Sequence, residues 1–409
     1  MGITKTVLDN GVRVLCEPVG HVGSASVGLW CNTGSVHEQT KEAGITHFIE
    51  HMLFKGTTKR TAKQIAEEIE GRGGMLNAFT DKERTCYYCR VLDVDVEVAI
   101  DVLSDMVTDS LLDKDELAME KGVVLEEIKR SEDEPSDHVH DLHLQSRWPE
   151  HILGKPVIGT PESVSSFGPD DLRTYMARRY RAGQIVLSVA GNIEPDAVNA
   201  WAEKRLGSVE PGDGEAKLDR PRGKASVNEV GKDVEQVHFC IGTDGSSQHD
   251  KDRYVALMLD GVLGSGMSSR LFQEVREKRG LAYAIGSYNL TYSVGGAFTV
   301  YGGTSAEKWG EVQEVVRAEF DKLCRDGADP AELARVKKSI EGSIVLALEG
   351  MSARMMRMAR NEMVYGRDVP VEEVLASIEA VTNDQIIEYA RKALDPSLVS
   401  TTAIGPFKN

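Results

Sequence analysis

The chain has 409 residues, enough for two or three domains, and its 41% hydrophobic content can supply real cores. A formal net charge of −17 argues against binding to nucleic acid or anionic lipid. No apolar run is long enough to span a membrane, and the N-terminal residues lack the apolar core of a signal peptide. The six cysteines are scattered, which predicts free thiols in a reducing compartment.

The first predicted helix follows two strand-like stretches and carries the most informative pattern, His47-Phe48-Ile49-Glu50-His51. Residues four apart lie one above the other on a helix, so both imidazoles can reach one metal ion. Glu50 is adjacent and can hold a water beside that ion. The order H-x-x-E-H is typical of the inverted zinc proteases. The alternative is a pair of helical histidines beside an exposed carboxylate, with no metal.

Residues 84–92 form the next clear strand-like stretch and contain Cys86 and Cys89. Residues three apart on a strand point to opposite faces of the sheet, so this C-x-x-C is poorly arranged to bind one metal. We therefore expect two packed thiols with no metal-binding or redox role.

Residues 113–133 are predicted to form a helix that opens at Asp113 and carries Glu120 and Glu127 on one face. A catalytic zinc usually takes three protein ligands and leaves one open position. One of these carboxylates can bind the ion, and the other can orient a ligating imidazole. The spacing alone does not say which is which. Just beyond, Asp137 and Asp141 lie in an acidic stretch. A solvated, charged surface is the alternative to any functional role for these two residues.

The chain contains an internal repeat. Residues 163–193 align without gaps to residues 377–407, with Tyr175 opposite Tyr389 and Gly191 opposite Gly405. Each copy is predicted to be a helix, a turn and a short strand, so the repeat unit is about half of the chain. A stretch rich in proline, glycine and charge separates the halves. We expect domains at 1–207 and 227–409, joined by a linker at 208–226.

The predicted fold class is α+β, with two homologous domains arranged as a clamshell. In each domain a largely antiparallel sheet carries helices on one face. In the second half, Leu257, Asp260 and Gly261 stand where His47, Glu50 and His51 stand in the first. We therefore expect the first domain alone to bind metal.

These motifs together resemble the pitrilysin-type (M16) metallopeptidases, including the mitochondrial processing peptidase and its half-size bacterial relatives. The resemblance rests on H-x-x-E-H, on the two glutamates of the later helix, and on the stretches 73–88, 151–159 and 264–287. It implies one Zn²⁺ per chain, bound by His47, His51 and Glu127. It also implies that Glu50 is the general base and that Glu120 supports the ligands from behind.

The resemblance further implies how substrate binds. Residues 73–88 resemble an edge strand to which an extended peptide adds through main-chain hydrogen bonds, at Leu76, Asn77, Ala78, Phe79 and Thr80. Asp137 and Asp141 match positions that read a basic substrate residue. Arg276 and Tyr283 match a pair that assists catalysis from the second half, or from a partner chain in half-size members, so a homodimer is expected.

The sequence thus predicts a zinc-dependent endopeptidase, of processing or peptide-degrading type, that cleaves extended peptides by attack of a water activated at the metal. The alternative is a catalytically silent assembly subunit, like the core proteins of respiratory complexes. Such subunits degrade the motif, whereas this chain keeps every position. The resemblance to half-size bacterial members implies that the protein is located in a bacterial cytoplasm. If a targeting peptide had been removed, the expected location would be the mitochondrial matrix.

Overall fold

The structure is a computed structural model that describes residues 2–212 and 218–408, so residues 213–217 of the predicted linker lie outside it. Eleven strands occur in the described residues: β1 (Thr4–Val7), β2 (Arg13–Pro18), β3 (Ser24–Cys31), β4 (Met75–Thr80), β5 (Thr85–Leu92), β6 (Ile185–Gly191), β7 (Val227–Gly231), β8 (Gln236–Gly245), β9 (Ala282–Thr291), β10 (Gly296–Ser305) and β11 (Ser400–Gly405).

Fourteen α-helices accompany these strands in the same described residues: α1 (Ile45–Leu53), α2 (Ala62–Glu70), α3 (Val96–Asp109), α4 (Lys114–Asp133), α5 (Pro135–Arg147), α6 (Pro161–Ser166), α7 (Pro169–Arg179), α8 (Pro195–Leu206), α9 (Arg253–Leu263), α10 (Trp309–Asp326), α11 (Pro330–Ala347), α12 (Met351–Tyr365), α13 (Val371–Glu379) and α14 (Asn383–Ala393). None of the described helices has the length and apolarity needed to cross a membrane.

The strands form two sheets with the same internal order, which confirms the α+β class and the repeat. The first sheet has the order β1-β2-β6-β3-β5-β4, and the second has the order β7-β11-β8-β10-β9. In each sheet one neighbouring pair is parallel, β2 with β6 and β7 with β11, and the other pairs are antiparallel. Apart from the additional β1, each strand of the first sheet therefore has a counterpart in the second.

The residues divide into two compact units. Unit 1 comprises Met1–Ile128, Pro156–Lys217 and Val345–Val369, and unit 2 comprises Lys129–Lys155, Leu218–Ile344 and Pro370–Asn409. Each half of the chain thus contributes a segment to the other unit: α5 belongs to unit 2 and α12 to unit 1. The predicted boundaries at 207 and 227 describe the sequence repeat, whereas the compact units exchange these two segments.

The exchanged helices correct the expectation that helices cover only one face of each sheet. In unit 1, Met355 and Met358 of α12 pack against Leu15, Trp30 and Val186. In unit 2, Val139 of α5 packs against Cys240 and Ile404. The strands β6 and β11 are buried along their whole length because both of their faces are covered. A strand that is apolar on both faces requires such cover.

The predicted C-x-x-C arrangement is confirmed within unit 1. Cys86 and Cys89 lie on β5, and the two thiols are free and buried. Cys89 packs in the large core with α1 and α3, whereas Cys86 packs in the separate cluster with α12. The two side chains therefore point to opposite faces of the sheet.

Candidate metal centre

The site is built on α1, whose amino end is held by a buried carboxylate. Glu38 accepts hydrogen bonds from the backbone N–H groups of Gly44 (2.8 Å) and Thr46 (2.9 Å) and so caps the first turn. Burial nevertheless raises the pKa of Glu38 to about 7. Gly44 has φ +87°, and a Cβ there would lie 2.5 Å from the Ile158 carbonyl oxygen, so this entry to the helix requires glycine.

The apolar face of α1 anchors it in the core of unit 1. Ile45, Phe48, Ile49 and Met52 are fully buried there. The opposite face carries His47 and His51, whose ring centroids are 4.7 Å apart. The i, i+4 spacing therefore brings the two imidazoles together as the sequence predicts.

Helix α4 supplies a carboxylate to the same point. Glu127 Oε2 lies 3.8 Å from His47 Nε2 and 3.7 Å from His51 Nε2. Among the described residues, His47, His51 and Glu127 form the group whose ligand atoms are close enough to hold a metal ion, all within 4.8 Å of one another. Ligands at zinc distances in a tetrahedron lie about 3.3 Å apart, so these three atoms fit Zn²⁺ after small adjustments.

The pKa of His47 and the hydrogen bond made by His51 both suit metal binding. Burial, with a smaller contribution from the neighbouring His51, lowers the pKa of His47 to about 4. Neutral imidazole is the form that binds metal. His51 Nδ1 lies 2.8 Å from Glu120 Oε1, so the carboxylate can accept a hydrogen bond from Nδ1–H. This leaves Nε2 as the ring nitrogen available to a metal ion.

The two glutamates of α4 differ in their surroundings, and this difference separates their roles. Glu120 is only 5% exposed, and its second oxygen lies 2.5 Å from Lys55 Nζ. Glu127 is 45% exposed and points at both imidazoles. Glu120 is therefore engaged with His51 and Lys55, while Glu127 is the more accessible carboxylate beside both imidazoles. Sequence reasoning missed Lys55, although its position four residues after His51 was a readable signal.

Glu50 lies beside the ligands and is bonded to the edge strand. Thr80 Oγ1 donates a 2.6 Å hydrogen bond to Glu50 Oε2. Burial raises the pKa of Glu50, and the hydrogen bond from Thr80 and the charge of His51 act in the opposite direction. A carboxylate with one oxygen engaged has its other oxygen available to accept a proton.

The predicted peptide-binding residues lie on β4, which is the edge strand of the first sheet. Phe79 packs edge-on against Trp30, with ring centroids 5.6 Å apart, and this contact holds the strand in place. The Asn77 side chain accepts a 2.8 Å hydrogen bond from the Ala78 N–H. Because β4 is an edge strand, one side of it has no strand partner in the described sheet and could accept an added strand.

The remaining predicted residues lie in unit 2. Arg276 is on a π-helical turn, Phe272–Glu277, and its guanidinium lies 4.7 Å from the Tyr283 ring centroid and 4.8 Å from that of Phe272. Tyr283 is 81% exposed on β9. The predicted pair is therefore in contact, and Phe272, which sequence reasoning missed, stacks on its other side. π-helical turns are often found at functional sites.

Unit 2 also brings Asp137 and Tyr283 to one cavity of about 350 Å³, which His140, His238 and Tyr301 line as well. Asp137 and Asp141 are both on α5; Asp137 is exposed and Asp141 is half-buried. His140 lies 2.7 Å from the Tyr288 hydroxyl through Nδ1. Asp137 therefore faces an aromatic cavity, which composition alone did not indicate, whereas Asp141 is not among the residues that line it.

Unit 1 thus brings together two histidines and one carboxylate that could hold a metal ion, with the carboxylate of Glu50 beside them. Comparisons with known proteins agree. Residues 13–161 match the family described as "Insulinase (Peptidase family M16)", and residues 166–340 match "Peptidase M16 inactive domain". The chain belongs to peptidase family M16.

Several full-length relatives support this assignment. The chain is 41% identical to the zinc protease YmxG of Bacillus subtilis, over 95% of each chain. It is 39% identical to the zinc protease SCO5738 of Streptomyces coelicolor, over 100% of this chain and 90% of that protein. Among solved structures, a peptidase M16 inactive domain from Pseudomonas fluorescens matches with a TM-score of 0.93 at 22% identity, covering 100% of this chain and 98% of the other. That likeness concerns the fold.

Proposed function

We propose that this protein is a zinc-dependent endopeptidase that cleaves peptides bound in extended form. The observation that carries the proposal is the convergence of His47, His51 and Glu127 within 4.8 Å, with Glu50 beside them. The names of the relatives, zinc proteases, support the choice of metal and of reaction.

His47 Nε2, His51 Nε2 and one oxygen of Glu127 would hold the zinc. Bound zinc supplies a Lewis acid that lowers the pKa of water. Glu50 would accept a proton from the attacking water at the carboxylate oxygen that is not bonded to Thr80. It would then return this proton to the leaving amine. The main chain of β4 positions the peptide by adding it to the sheet. Glu120 keeps His51 in the tautomer that presents Nε2.

The test is cleavage of a peptide library by purified protein, read by mass spectrometry. We expect cleavage that a chelator stops and that added zinc restores, and no cleavage by the Glu50→Gln variant. A wild-type protein that binds zinc but cleaves nothing would favour the silent assembly subunit. Cleavage that survives both chelation and Glu50→Gln would exclude this centre as the active site.

We also propose that Arg276 and Tyr283 assist the reaction and that two chains form a homodimer, as the resemblance implies. Mixing Glu50→Gln with Tyr283→Phe tests this, because each variant keeps what the other lacks. If the pair serves the partner's zinc, co-refolded mixtures should regain activity at about one site per heterodimer. An absence of recovery, with subunit exchange demonstrated, would mean that each chain completes its own site.

For substrate preference we propose that Asp137 and Asp141 favour basic residues near the cleaved bond. The double change to Asn should flatten that preference in the library without slowing the cleavage of neutral peptides. An unchanged cleavage profile would assign both residues to a solvated surface.

A further inference from the structure

The end of the edge strand and the proposed base are joined by one hydrogen bond, from Thr80 Oγ1 to Glu50 Oε2 at 2.6 Å. The Thr85 hydroxyl, the next nearest partner of Thr80 at 3.5 Å, donates its own proton to the Thr33 carbonyl oxygen at 2.9 Å. A threonine hydroxyl has one proton to give, and the short contact to a carboxylate is where it goes. Thr80 therefore fixes which oxygen of Glu50 is engaged.

The hydroxyl of Thr80 cannot move freely, because the hairpin that ends β4 is docked. Asp81 Oδ1 accepts the N–H groups of Glu83 and Arg84, and the N–H of Val36 bonds to the Lys82 carbonyl oxygen at 2.8 Å. At Gly34 a Cβ would lie 2.4 Å from the Asp81 carbonyl oxygen, so the two segments touch backbone to backbone. The β-branched side chain of threonine adds little freedom of its own.

The same segment holds the amino end of α1. Residues 34–36 contact the hairpin, and two residues further on Glu38 caps α1. The end of β4 and the start of the helix that carries Glu50 are thus tied to one short stretch of backbone. The Thr80–Glu50 bond closes this loop of contacts at the site itself.

We infer that Thr80 is a positioning residue that aligns Glu50 with a peptide lying along β4. The inference rests on the proposed function. Because the peptide would add to the strand that ends at Thr80, the residue that orients the carboxylate belongs to the strand that binds the substrate. Removing the hydroxyl should leave peptide and metal binding intact and misplace the proton acceptor.

The kinetic test compares Thr80→Val, which removes the hydroxyl at nearly constant shape, with Thr80→Ser, which keeps it. For a hydrogen bond to a charged group we expect Thr80→Val to lower kcat roughly 10- to 100-fold, with KM and zinc content close to wild type. Thr80→Ser should recover most of the loss. Thr6→Val on β1, the other edge strand of the sheet, is the matched control and should behave as wild type.

Unchanged kcat in Thr80→Val, or a serine variant as slow as the valine variant, would overturn the inference. A thermal double-mutant cycle separates its failure from failure of the proposed function, since it needs no activity. Thr80→Val should lower the Tm of the metal-free protein in the wild-type background but not in a Glu50→Leu background. If the wild-type protein cleaves no peptide, the proposed function fails. In that case this cycle alone tests the Thr80–Glu50 interaction, and equal Tm shifts in both backgrounds would refute it.

Discussion

Helix α1 of unit 1 and helix α9 of unit 2 occupy the same place in the repeat, yet they differ in the space that is available beside them. Both carry a carboxyl group, half-buried in Glu50 and buried in Asp260, that accepts a hydroxyl hydrogen bond from the edge strand of its sheet. Glu50 is bonded to Thr80 on β4 at 2.6 Å, and Asp260 is bonded to Ser287 on β9 at 2.5 Å. The carboxyl–hydroxyl pair therefore belongs to the repeated architecture, and it does not by itself make a catalytic site.

The units differ in the space beside the helix. Gly261 stands where His51 stands, and a Cβ at Gly261 would lie 2.3 Å from Val336 Cγ1 on α11. In chain order α11 is the counterpart of α4, which in unit 1 presents Glu120 and Glu127 to His51. Unit 2 thus fills with an aliphatic side chain the gap that unit 1 keeps open for an ion. On the proposed function, metal binding would depend on this gap as much as on the histidines.

The strongest way to test the comparison is to convert α1 into α9. The double change of His47→Leu and His51→Gly should abolish stoichiometric zinc binding, because two of three ligands are lost. Metal content after dialysis against buffered zinc measures the effect, and circular dichroism checks the fold. His21→Leu, at an exposed histidine, is the control. Full zinc retention in the double variant would place the metal elsewhere.

The two carboxyl groups can be compared directly. Glu50→Gln should lower kcat by about 10³-fold while zinc remains bound, because an amide accepts hydrogen bonds but takes no proton. Asp260→Asn should leave kcat unchanged, since Asp260 is buried against Ser287 in a unit whose described residues include no group placed to hold a metal ion. Peptide turnover and metal content are measured for both variants. A comparable loss in the two would mean that the repeat shares its chemistry between units.

Substitution of the residues that hold His51 in place should have a smaller effect on zinc binding. Glu120→Ala is expected to weaken zinc binding by roughly 10- to 100-fold, as for other groups that orient a ligand. Lys55→Met should weaken it less, because it leaves the Glu120–His51 bond in place and removes only the contact that holds the second oxygen of Glu120. Competition with a coloured chelator gives the affinities. Lys63→Met, at an exposed lysine, is the control, and an effect of Lys55→Met no larger than this would assign Lys55 to the surface.

Local patterns were readable from the sequence because they are determined within a few turns of one element. The i, i+4 histidines, the shared face of Glu120 and Glu127, and the opposed cysteines of β5 are all confirmed. The roles of the two glutamates were open on spacing alone. Burial and the contact with Lys55 distinguish them, and both depend on how α4 packs against α1.

Contacts between distant segments were not readable. Nothing in the apolar pattern of α5 or α12 says which sheet the helix covers, and each lies in the unit built mostly by the other half of the chain. The same limit applies to the Thr80–Glu50 bond and to Phe272 stacked on Arg276. The sequence of β6 did contain one indication that its sheet is covered on both faces. Its residues are apolar at successive positions, which is typical of a strand buried on both sides.

The last effect concerns stability and not activity, at the carboxyl group of unit 2. Burial raises the pKa of Asp260 from 3.8 to about 6. A folded-state pKa above the unfolded value means that the protonated group stabilises the fold below pH 4 and that this contribution is lost as the pH rises through 6. Asp260→Asn removes the titration, so relative to the variant the wild type should lose up to about 3 kcal/mol between pH 4 and pH 7.

Denaturant unfolding followed by tryptophan fluorescence at several pH values measures this difference. Asp170→Asn, at a side chain that is 99% exposed, should leave the pH dependence of the wild type unchanged. If Asp260→Asn were instead the less stable protein at pH 7, Asp260 would be an ionised group that the Ser287 hydroxyl supports. The two carboxyl groups of the repeat would then have in common a hydroxyl partner that supports a carboxylate. The open gap beside α1 would be left as the feature that distinguishes the metal site.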